Sequence, residues 1–323
     1  MKKILILFGG NSPEHQISCL SAKTIIENID KSKYQITQVG ISKDNTWYIF
    51  KDKLTLLKNN TWLKGNITKI ENIIIFLKQF DKVFPIIHGN PLENGNLQGL
   101  FNIANIPYVG TNLAGSIISY DKELTKIIMS HYNIPQIPYI TINKNESIKK
   151  LKITYPVIIK PAKCGSSIGI NIANNEKELH KYIKVAFKYD DKVIIEKFIK
   201  SRELECAILE NKTLKVSPIG EIKSASNFYD YNSKYKLEST LIIPAKINKQ
   251  LQKEIKTLSL KIFKYLNLST LARIDFLYDY HNQKLYFNEV NTMPGFTDIS
   301  MYPLLFKNKN IPIKNLITKI IEN

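Results

Sequence analysis

Cysteine, arginine and long apolar runs are all scarce in this 323-residue chain. Its three cysteines, Cys19, Cys164 and Cys206, show no CxxC spacing, so neither a disulfide framework nor a paired-cysteine zinc site is predicted. A reducing, cytoplasmic location is the corresponding expectation. No apolar run approaches the roughly 20 residues that a membrane span requires, and the run at residues 4–8 is too short for a signal peptide. We therefore expect no membrane partner.

The basic residues are almost all lysine, because Arg202 and Arg273 are the two arginines among 46. The formal net charge of +18 would suit a polyanion such as a nucleic acid. However, the lysines are scattered along the chain among isoleucine and asparagine, which indicates a compositional bias more than a binding patch. We therefore expect no nucleic-acid partner, although the basic field would help to attract a polyphosphate.

Strand and helix patterns alternate in the first third of the chain. The patterns predict a strand at 4–8, a Gly9-Gly10 turn, a helix at 14–29, strands at 34–41 and 82–87, and a helix near 97–104. This alternation is typical of a parallel α/β unit. Residues 43–80, rich in lysine and asparagine, give no clear pattern and are left unassigned.

From about residue 116 the strands and helices follow a different order. Extended segments are predicted at 136–140, 156–160, 168–172, 192–196, 203–209 and 217–222, and helices at 121–132, 176–189, 249–266 and 313–321. A long polar loop at 224–239 is dense in aromatic residues. Its length is typical of a lid, and its aromatic content argues against disorder.

Two apolar, β-rich runs flank Asp279-Tyr-His-Asn282 and predict a β-hairpin. If the turn centres near Asn282, Asp275 lies opposite Glu289. Arg273 then lies opposite Asn291, and the four side chains share one face. Their oxygens suit a hard cation such as Mg²⁺, and a retained arginine suggests a need for a planar, two-pronged donor. The alternative is an ordinary salt-bridged sheet face, and a one-residue slip would separate the group.

A glycine- and serine-rich loop, Lys160-Pro-Ala-Lys-Cys-Gly-Ser-Ser-Ile-Gly169, lies between two predicted strands. Glycine lets backbone N–H groups approach phosphate oxygens. The loop differs from a P-loop because the chain lacks GxxxxGK[ST] and a strand, not a helix, follows. It therefore indicates either a phosphate-binding loop or a plain hairpin turn.

Three further features are candidates for ligand contact. The apolar strand at 192–196 ends at Glu196, with Glu203 following, and a strand end at a domain junction can read an adenine edge. The alternative is a buried strand with solvated charges at its end. Glu14 and His88 follow strands of the first unit, and ligands of open α/β sheets bind beyond the carboxyl ends of strands.

Taken in order, these segments resemble the bacterial D-alanine–D-alanine ligases, which are ATP-grasp enzymes. The motifs are GG-x-S-x-E, HG…E-x-G, DK, KP-x-x-x-GSSxG, EK, FYDY-x-x-KY, RID and NE-x-N-T-x-PG, from Gly9 to Ser300. The resemblance implies an α/β, three-domain ATP-grasp fold. Its expected parts are a Rossmann-like parallel sheet at 1–115, a central α+β lid at 116–197 and a C-terminal α+β catalytic domain at 198–323.

The resemblance also implies how the nucleotide is held, with ATP between the last two domains. The residues that would contact its phosphates, adenine and ribose are Lys122, Lys160, Ser167, Lys234, Glu196, Lys197, Phe198, Ile199 and Glu203. Lys234 would reach the γ-phosphate and Glu203 the ribose. Asp275, Glu289 and Asn291 would bind two Mg²⁺ or Mn²⁺ ions.

The implied reaction joins two D-alanines into D-alanyl-D-alanine through an acyl phosphate, for peptidoglycan precursors. Glu14 would bind the ammonium of the first D-alanine, near His88. Ser300 and Met301 would bind the carboxylate of the second D-alanine, and Arg273 and the Gly295 N–H would stabilise the oxyanion. Ser166 and Tyr235 would form a hydrogen-bonded latch with Glu14. A tyrosine rather than a phenylalanine at position 235 implies an amine acceptor and an amide product.

Alternatives to this reading remain at the level of sequence. One is an ATP-grasp ligase that joins a different carboxylate and amine, another is a basic nucleic-acid-binding protein, and a third is a decayed ligase. Every expected catalytic position is filled, which argues against decay. The family resemblance further implies a homodimer.

Overall fold

Three β-sheets organise the chain, of which the computed structural model describes residues 1–146, 153–223 and 240–323. Within those residues the first and last sheets each contain five strands and the central sheet four. One hydrophobic core joins the first sheet to the C-terminal helices, a second lies on the last sheet, and a third lies on the central sheet. No helix in the described parts of the chain is long and apolar enough to cross a bilayer.

The first sheet has the order β4-β3-β2-β1-β5. Its strands are β1 (Lys2–Gly9), β2 (Tyr34–Ile41), β3 (Trp47–Phe50), β4 (Ile67–Lys69) and β5 (Lys82–Pro85). The helices of this region are α1 (His15–Asn28), α2 (Thr55–Lys58), α3 (Ile73–Leu77), α4 (Asn96–Ala104) and α5 (Leu113–Tyr120). Strand β1 is parallel to both β2 and β5, which confirms the predicted parallel unit. Its carboxyl edge therefore carries the loops that begin at Gly9 and follow β5.

The unassigned region 43–80 extends this sheet with antiparallel strands. Trp62 is its anchor: the indole is 1% exposed and meets the ring of Phe8 edge-on, with centroids 5.3 Å apart. Phe50 meets the same indole at 6.5 Å. Gly40 makes room for it, since a Cβ there would lie 2.5 Å from the indole ring. The region folds through these distant contacts, and no local periodicity reveals them.

Gly9 ends β1 in a conformation that requires glycine. Its φ is +92°, and an added Cβ would lie 2.2 Å from the carbonyl oxygen of Ile41. We expect Gly9→Ala to lower the free energy of unfolding by about 3 kcal/mol. Gly99 in α4 is the matched control, because a Cβ there meets nothing within 4 Å, and Gly99→Ala should stabilise by about 0.5–1 kcal/mol. Urea unfolding of both variants tests this, and equal stabilities would contradict it.

The central sheet has the order β6-β9-β7-β8. Its strands are β6 (Tyr139–Asn143), β7 (Val157–Pro161), β8 (Asn171–Ala173) and β9 (Lys192–Lys197). Helix α6 (Lys122–His131) precedes it, and α7 (Glu176–Ala186) packs on it. The Asp121 carboxylate caps α6 by accepting hydrogen bonds from the backbone N–H groups of Glu123 and Leu124.

Two predicted strands of this region were misplaced. The segment predicted at 136–140 becomes β6 three residues later, because Gln136 forms an isolated bridge with Phe287 instead. The segment predicted at 168–172 becomes β8, because Ser166, Ser167 and Gly169 all have positive φ and extend the preceding loop.

The last sheet is antiparallel, with the order β12-β11-β10-β13-β14. Its strands are β10 (Arg202–Asn211), β11 (Thr213–Lys223), β12 (Thr240–Ile242), β13 (Leu271–Asp279) and β14 (Lys284–Asn291). The accompanying helices are α8 (Lys249–Tyr265), α9 (Met301–Asn308) and α10 (Ile313–Ile321). Helix α9 was not predicted. The predicted aromatic loop at 224–239 lies outside the described residues.

Candidate active site

Two adjoining cavities lie where the three sheets meet. The first, of about 410 Å³, is bounded by the central and last sheets. The second, of about 830 Å³, is bounded by α1, the loop after β14 and the start of α9. They share a wall that includes Lys122, Ser166, Glu205, Arg273 and Glu289. All the predicted site residues within the described chain line one cavity or the other.

The hairpin β13–β14 has the predicted register. Asp275 pairs with Glu289, and Arg273 pairs with Asn291. A bulge after Asp275 shifts the register by one residue along the hairpin. Strand β10 adds Glu205 directly opposite Asp275, so three carboxylates form one row across three strands. The row gives the shared wall a concentrated negative charge with one guanidinium beside it.

Arg273 is held tightly within this row. Its Nε and Nη2 donate to the two oxygens of Asp275 at 2.8 and 2.7 Å, and Nε lies 3.0 Å from Oε2 of Glu205. Burial alone would lower the pKa of Arg273, but the charges of Asp275 and Glu205 outweigh it and raise the pKa well above its usual value. The guanidinium is therefore permanently charged and fixed in orientation.

The glycine- and serine-rich loop reaches from the central sheet to α1. The hydroxyl of Ser166 donates to Oε1 of Glu14. Gly165 allows this approach, because a Cβ there would lie 3.0 Å from Oε2 of Glu14. Nζ of Lys122 donates to the carbonyl of Cys164 in this loop at 2.7 Å. The same ammonium lies 3.6 Å from Oε2 of Glu289, so one lysine joins the loop to the hairpin.

Lys160 and Glu196 meet on the floor of the first cavity. Both are buried, and Nζ of Lys160 lies 2.6 Å from Oε2 of Glu196. Nζ also donates to Oδ1 of Asn288 at 3.4 Å. Beyond Glu196 the chain leaves the sheet, and the N–H of Phe198 donates to the carbonyl of Pro156 at 2.9 Å. Lys197, Phe198, Ile199, Glu203 and Ser167 complete the predicted set along this cavity.

His88 links α1 to the loop that carries Gly295. Nδ1 of His88 donates to the carbonyl of Met293 at 2.9 Å, and Nε2 accepts from the hydroxyl of Ser21 at 3.2 Å. That hydroxyl oxygen in turn accepts from the N–H of Phe296 at 3.1 Å. The carbonyl partner requires a proton on Nδ1. His88 therefore orients the loop as well as lining the second cavity.

The far end of the second cavity is formed by the loop before α9. Gly295 lies against Ser300, since an added Cβ would come within 2.7 Å of Oγ. The Ser300 hydroxyl accepts from the N–H of Thr297 at 3.0 Å. Met301 is buried, and its sulfur lies 2.5 Å from where a Gly220 Cβ would be. A small ligand at this end would meet a hydroxyl, a thioether and the backbone of Gly295.

Two predicted residues, Lys234 and Tyr235, lie outside the described residues. Two residues of the site were not predicted from the sequence. Glu205 lies beside Arg273, and Lys126 lies beside Glu196. The spacing of each residue from a predicted site residue could have identified it. Glu205 follows Glu203 by two residues, one strand period, and Lys126 follows Lys122 by four residues, one helix turn.

Comparison with known proteins gives full-length matches. A model described as D-ala D-ala ligase N-terminus matches residues 3–111, and one described as D-ala D-ala ligase C-terminus matches residues 128–322. The chain is 43% identical over 331 residues to D-alanine–D-alanine ligase B of Clostridium tetani, covering 99% of this chain and 92% of that protein. It is 40% identical over 333 residues to the D-alanine–D-alanine ligase of Clostridium acetobutylicum, covering 99% and 97%.

Solved structures agree with the chain over its whole length. The VanG D-Ala:D-Ser ligase of Enterococcus faecalis has a TM-score of 0.90 and 34% identity, covering 99% of this chain and 98% of that one. A Bacillus anthracis D-alanine–D-alanine ligase complexed with ATP has a TM-score of 0.79 and 27% identity, covering 100% and 97%. The expected ATP-grasp fold is thereby confirmed. With both halves of the chain matched in sequence as well as in structure, this protein belongs to the D-alanine–D-alanine ligase family.

Proposed function

We propose that this protein uses ATP to join two D-alanine molecules into D-alanyl-D-alanine, as a step towards peptidoglycan precursors. The observation that carries the proposal is the shared wall between the two cavities. A lysine-lined cavity opens directly into one bounded by Glu14, Ser300 and Met301. A phosphoryl group held in the first can therefore meet a carboxylate held in the second. The names of the two clostridial relatives support the choice of substrate.

The first cavity suits ATP. Lys122 and Lys160 would neutralise phosphate oxygens, and the loop at Ser166 and Ser167 would present backbone N–H groups to them. The segment from Lys197 to Ile199 would border the adenine, and Glu203 would accept from the ribose hydroxyls. The ATP complex of the Bacillus anthracis relative supports this placement. Lys234 would add a contact to the γ-phosphate.

The donor set of the hairpin fits two magnesium ions. Oδ1 of Asn291 is buried and has no hydrogen-bond partner within the described chain. The Glu289 side chain is 42% exposed and lines both cavities. Oxygen donors of this kind suit Mg²⁺, which usually takes one or two carboxylates and shares substrate phosphates. Asp275, Glu289 and Asn291 would hold the ions, which would stabilise the charge on the transferred phosphoryl group.

The chemistry follows from the residues on the shared wall. Glu14 would bind the ammonium of the first D-alanine, leaving its carboxylate near Lys122 and Arg273. A carboxylate oxygen attacks the γ-phosphorus of ATP, the bond to the β-phosphate oxygen breaks, and ADP leaves. The second D-alanine loses its ammonium proton to solvent, and its amine then attacks the acyl carbon. The bond between that carbon and the phosphate oxygen breaks, and inorganic phosphate leaves with the amine proton that the amide does not keep. Arg273 and the N–H of Gly295 would stabilise the intervening oxyanion.

The contact between Glu14 and Ser166 would form half of a latch that excludes water from the acyl phosphate. Tyr235 would complete it. We further propose that the domains divide near residues 115 and 197, close to the changes of sheet, and that the protein is a cytoplasmic homodimer. Its three free cysteines suit a reducing compartment.

A second candidate is a ligase that takes D-serine as the second substrate. Its support is the similarity to a D-Ala:D-Ser ligase at a TM-score of 0.90. The end of the second cavity at Ser300 and Met301 offers both a hydroxyl and an apolar surface, so it does not exclude a hydroxymethyl side chain. Tyr235 favours an amine over a hydroxy acid, which both amino acids satisfy.

The deciding experiment measures phosphate release from Mg-ATP with D-alanine, D-serine, D-lactate, L-alanine and glycine, with product masses. We expect D-alanine alone to sustain turnover and to yield its dipeptide. In mixtures, a dominant D-alanyl-D-serine product would favour the second candidate. ATP turnover confined to glycine or L-alanine would overturn the substrate assignment but retain the nucleotide site. No ATP use with any substrate would overturn the proposal.

A further inference from the structure

A buried carboxylate between two lysines lies behind the first cavity. Oε1 of Glu196 is 2.5 Å from Nζ of Lys126, and Oε2 is 2.6 Å from Nζ of Lys160. The three side chains are 2%, 3% and 8% exposed for Glu196, Lys126 and Lys160. Each carboxylate oxygen therefore meets a different ammonium group, in a place that water hardly reaches.

Lys126 occupies the rear of this group. It projects from α6 one turn after Lys122, and its ammonium lies 5.1 Å from the ring centre of Tyr139, which pairs with Glu196 across the sheet. The wall of the first cavity includes Lys160 and Glu196. Lys126 is absent from the walls of both cavities, as the described residues form them. A ligand in the first cavity would therefore meet Lys160 and not Lys126.

The sum of the three charges explains why a second lysine is needed. Lys160 and Glu196 alone would be a neutral pair, and the carboxylate would cancel the charge that Lys160 offers to a phosphate. Burial raises the pKa of Glu196, but Lys160 and Lys126 outweigh burial and lower it, so Glu196 stays ionised. Burial lowers the pKa of Lys126, and the charge of Glu196 opposes that shift. With Lys126 charged, the group carries a net charge of +1, and Lys160 is the cation of the group that lines the first cavity.

We propose that Lys126 is a positioning residue for ATP that neutralises Glu196 from behind and so leaves the charge of Lys160 available to the nucleotide phosphates. The inference rests on the proposed function in one respect, namely that the first cavity binds ATP. Glu196 then has a second task besides bordering the adenine: it fixes the ammonium of Lys160 in place. Without Lys126 it would do so at the expense of phosphate binding.

A charge-supplying role for Lys126 and a purely structural role predict different effects on ATP and on adenosine binding. If Lys126 supplies charge, its loss weakens only ligands that carry phosphates. If it merely packs α6 against β9, its loss distorts the adenine-binding edge and weakens adenosine and ATP alike. The ratio of the two dissociation constants therefore separates the two roles.

The test measures binding of ATP and of adenosine to wild type, Lys126→Met and Lys126→Arg by calorimetry, with thermal unfolding of each. We expect Lys126→Met to weaken ATP binding about tenfold or more, as loss of a unit charge several ångströms from a polyphosphate implies, and to leave adenosine binding within about twofold. In turnover assays the KM for ATP should rise more than kcat falls. Lys126→Arg keeps the charge and should restore most of the ATP affinity.

Lys192→Met is the matched control. Lys192 also ends in two ion pairs at α6, 2.8 Å from Asp121 and 2.7 Å from Glu123, but away from Glu196. It should not alter the ratio of ATP to adenosine affinity. Equal weakening of both ligands in Lys126→Met, or unchanged ATP affinity, would overturn the proposal for Lys126 while leaving the ligase function intact. A wild-type protein that binds no ATP would overturn both. If Lys126→Met does not fold, Lys126→Arg decides the question. A folded Lys126→Arg whose ratio of ATP to adenosine affinity differs from that of wild type would overturn the proposal.

Discussion

Replacing Arg273 by lysine is expected to lower kcat by about 10²–10³-fold, the usual loss when one oxyanion donor is removed. Lysine keeps the charge beside Asp275 and Glu205 but cannot reproduce the paired donation from Nε and Nη2. The folded protein should therefore survive, whereas Arg273→Met would leave two buried carboxylates uncompensated and unfold more readily. Steady-state kinetics and thermal unfolding of both variants measure the two effects separately.

Arg202→Lys is the matched control, because Arg202 is the other arginine of the chain and also donates twice, to Glu221 at 2.8 and 2.7 Å. It lines the first cavity but not the shared wall. We expect its effect on kcat to be severalfold at most. Similar kcat losses in the two lysine variants would mean that Arg273 acts through general stability and not through the reaction.

The second large effect is expected from Glu289→Gln. The exchange keeps the shape of the side chain and removes the charge that a hard cation requires. We predict a kcat loss of about 10²–10³-fold and a higher Mg²⁺ concentration for half-maximal activity. Activity titrations with Mg²⁺ and Mn²⁺ at saturating ATP provide the measurement.

Glu205→Gln tests whether that shift belongs to the metal ligands. Glu205 lies in the same row of carboxylates but faces Arg273, so its loss should slow the reaction without changing the Mg²⁺ requirement. If both glutamine variants shifted the requirement equally, the row would act as a diffuse negative field. In that case the assignment of Glu289 as a ligand would fail.

The hairpin was the part of the site most accessible to sequence reasoning. Strand periodicity and the Asp279–Asn282 turn together fixed the partners of Asp275 and Arg273. The Asp279 carboxylate accepts from the N–H groups of His281 and Asn282, both at 3.1 Å, so the turn is encoded locally. The bulge after Asp275 is not encoded in this way. The predicted pairs nevertheless match the structure, because a turn centred at Asn282 gives the register that lies beyond the bulge, where Asp275 pairs with Glu289.

Features built from distant residues were not accessible. Trp62 folds residues 43–80 against Phe8, which is more than fifty positions away in sequence. The pairing of Lys126 with Glu196 joins a helix face to a strand from another part of the chain. A periodic pattern gives the face that a residue occupies, but not the partner that a different element brings to it. The family resemblance predicted the residues that line the site, and the structure shows the contacts between distant residues that support them.

The wall shared by the two cavities has a consequence for inhibition. Because Lys122, Arg273 and Glu289 border both spaces, a single molecule can span them without crossing a protein barrier. A compound that links a nucleotide-like group to an amino-acid-like group would bind its second half at a high effective concentration. Its affinity should then exceed that of either half by orders of magnitude, provided that the linker matches the short distance across the wall.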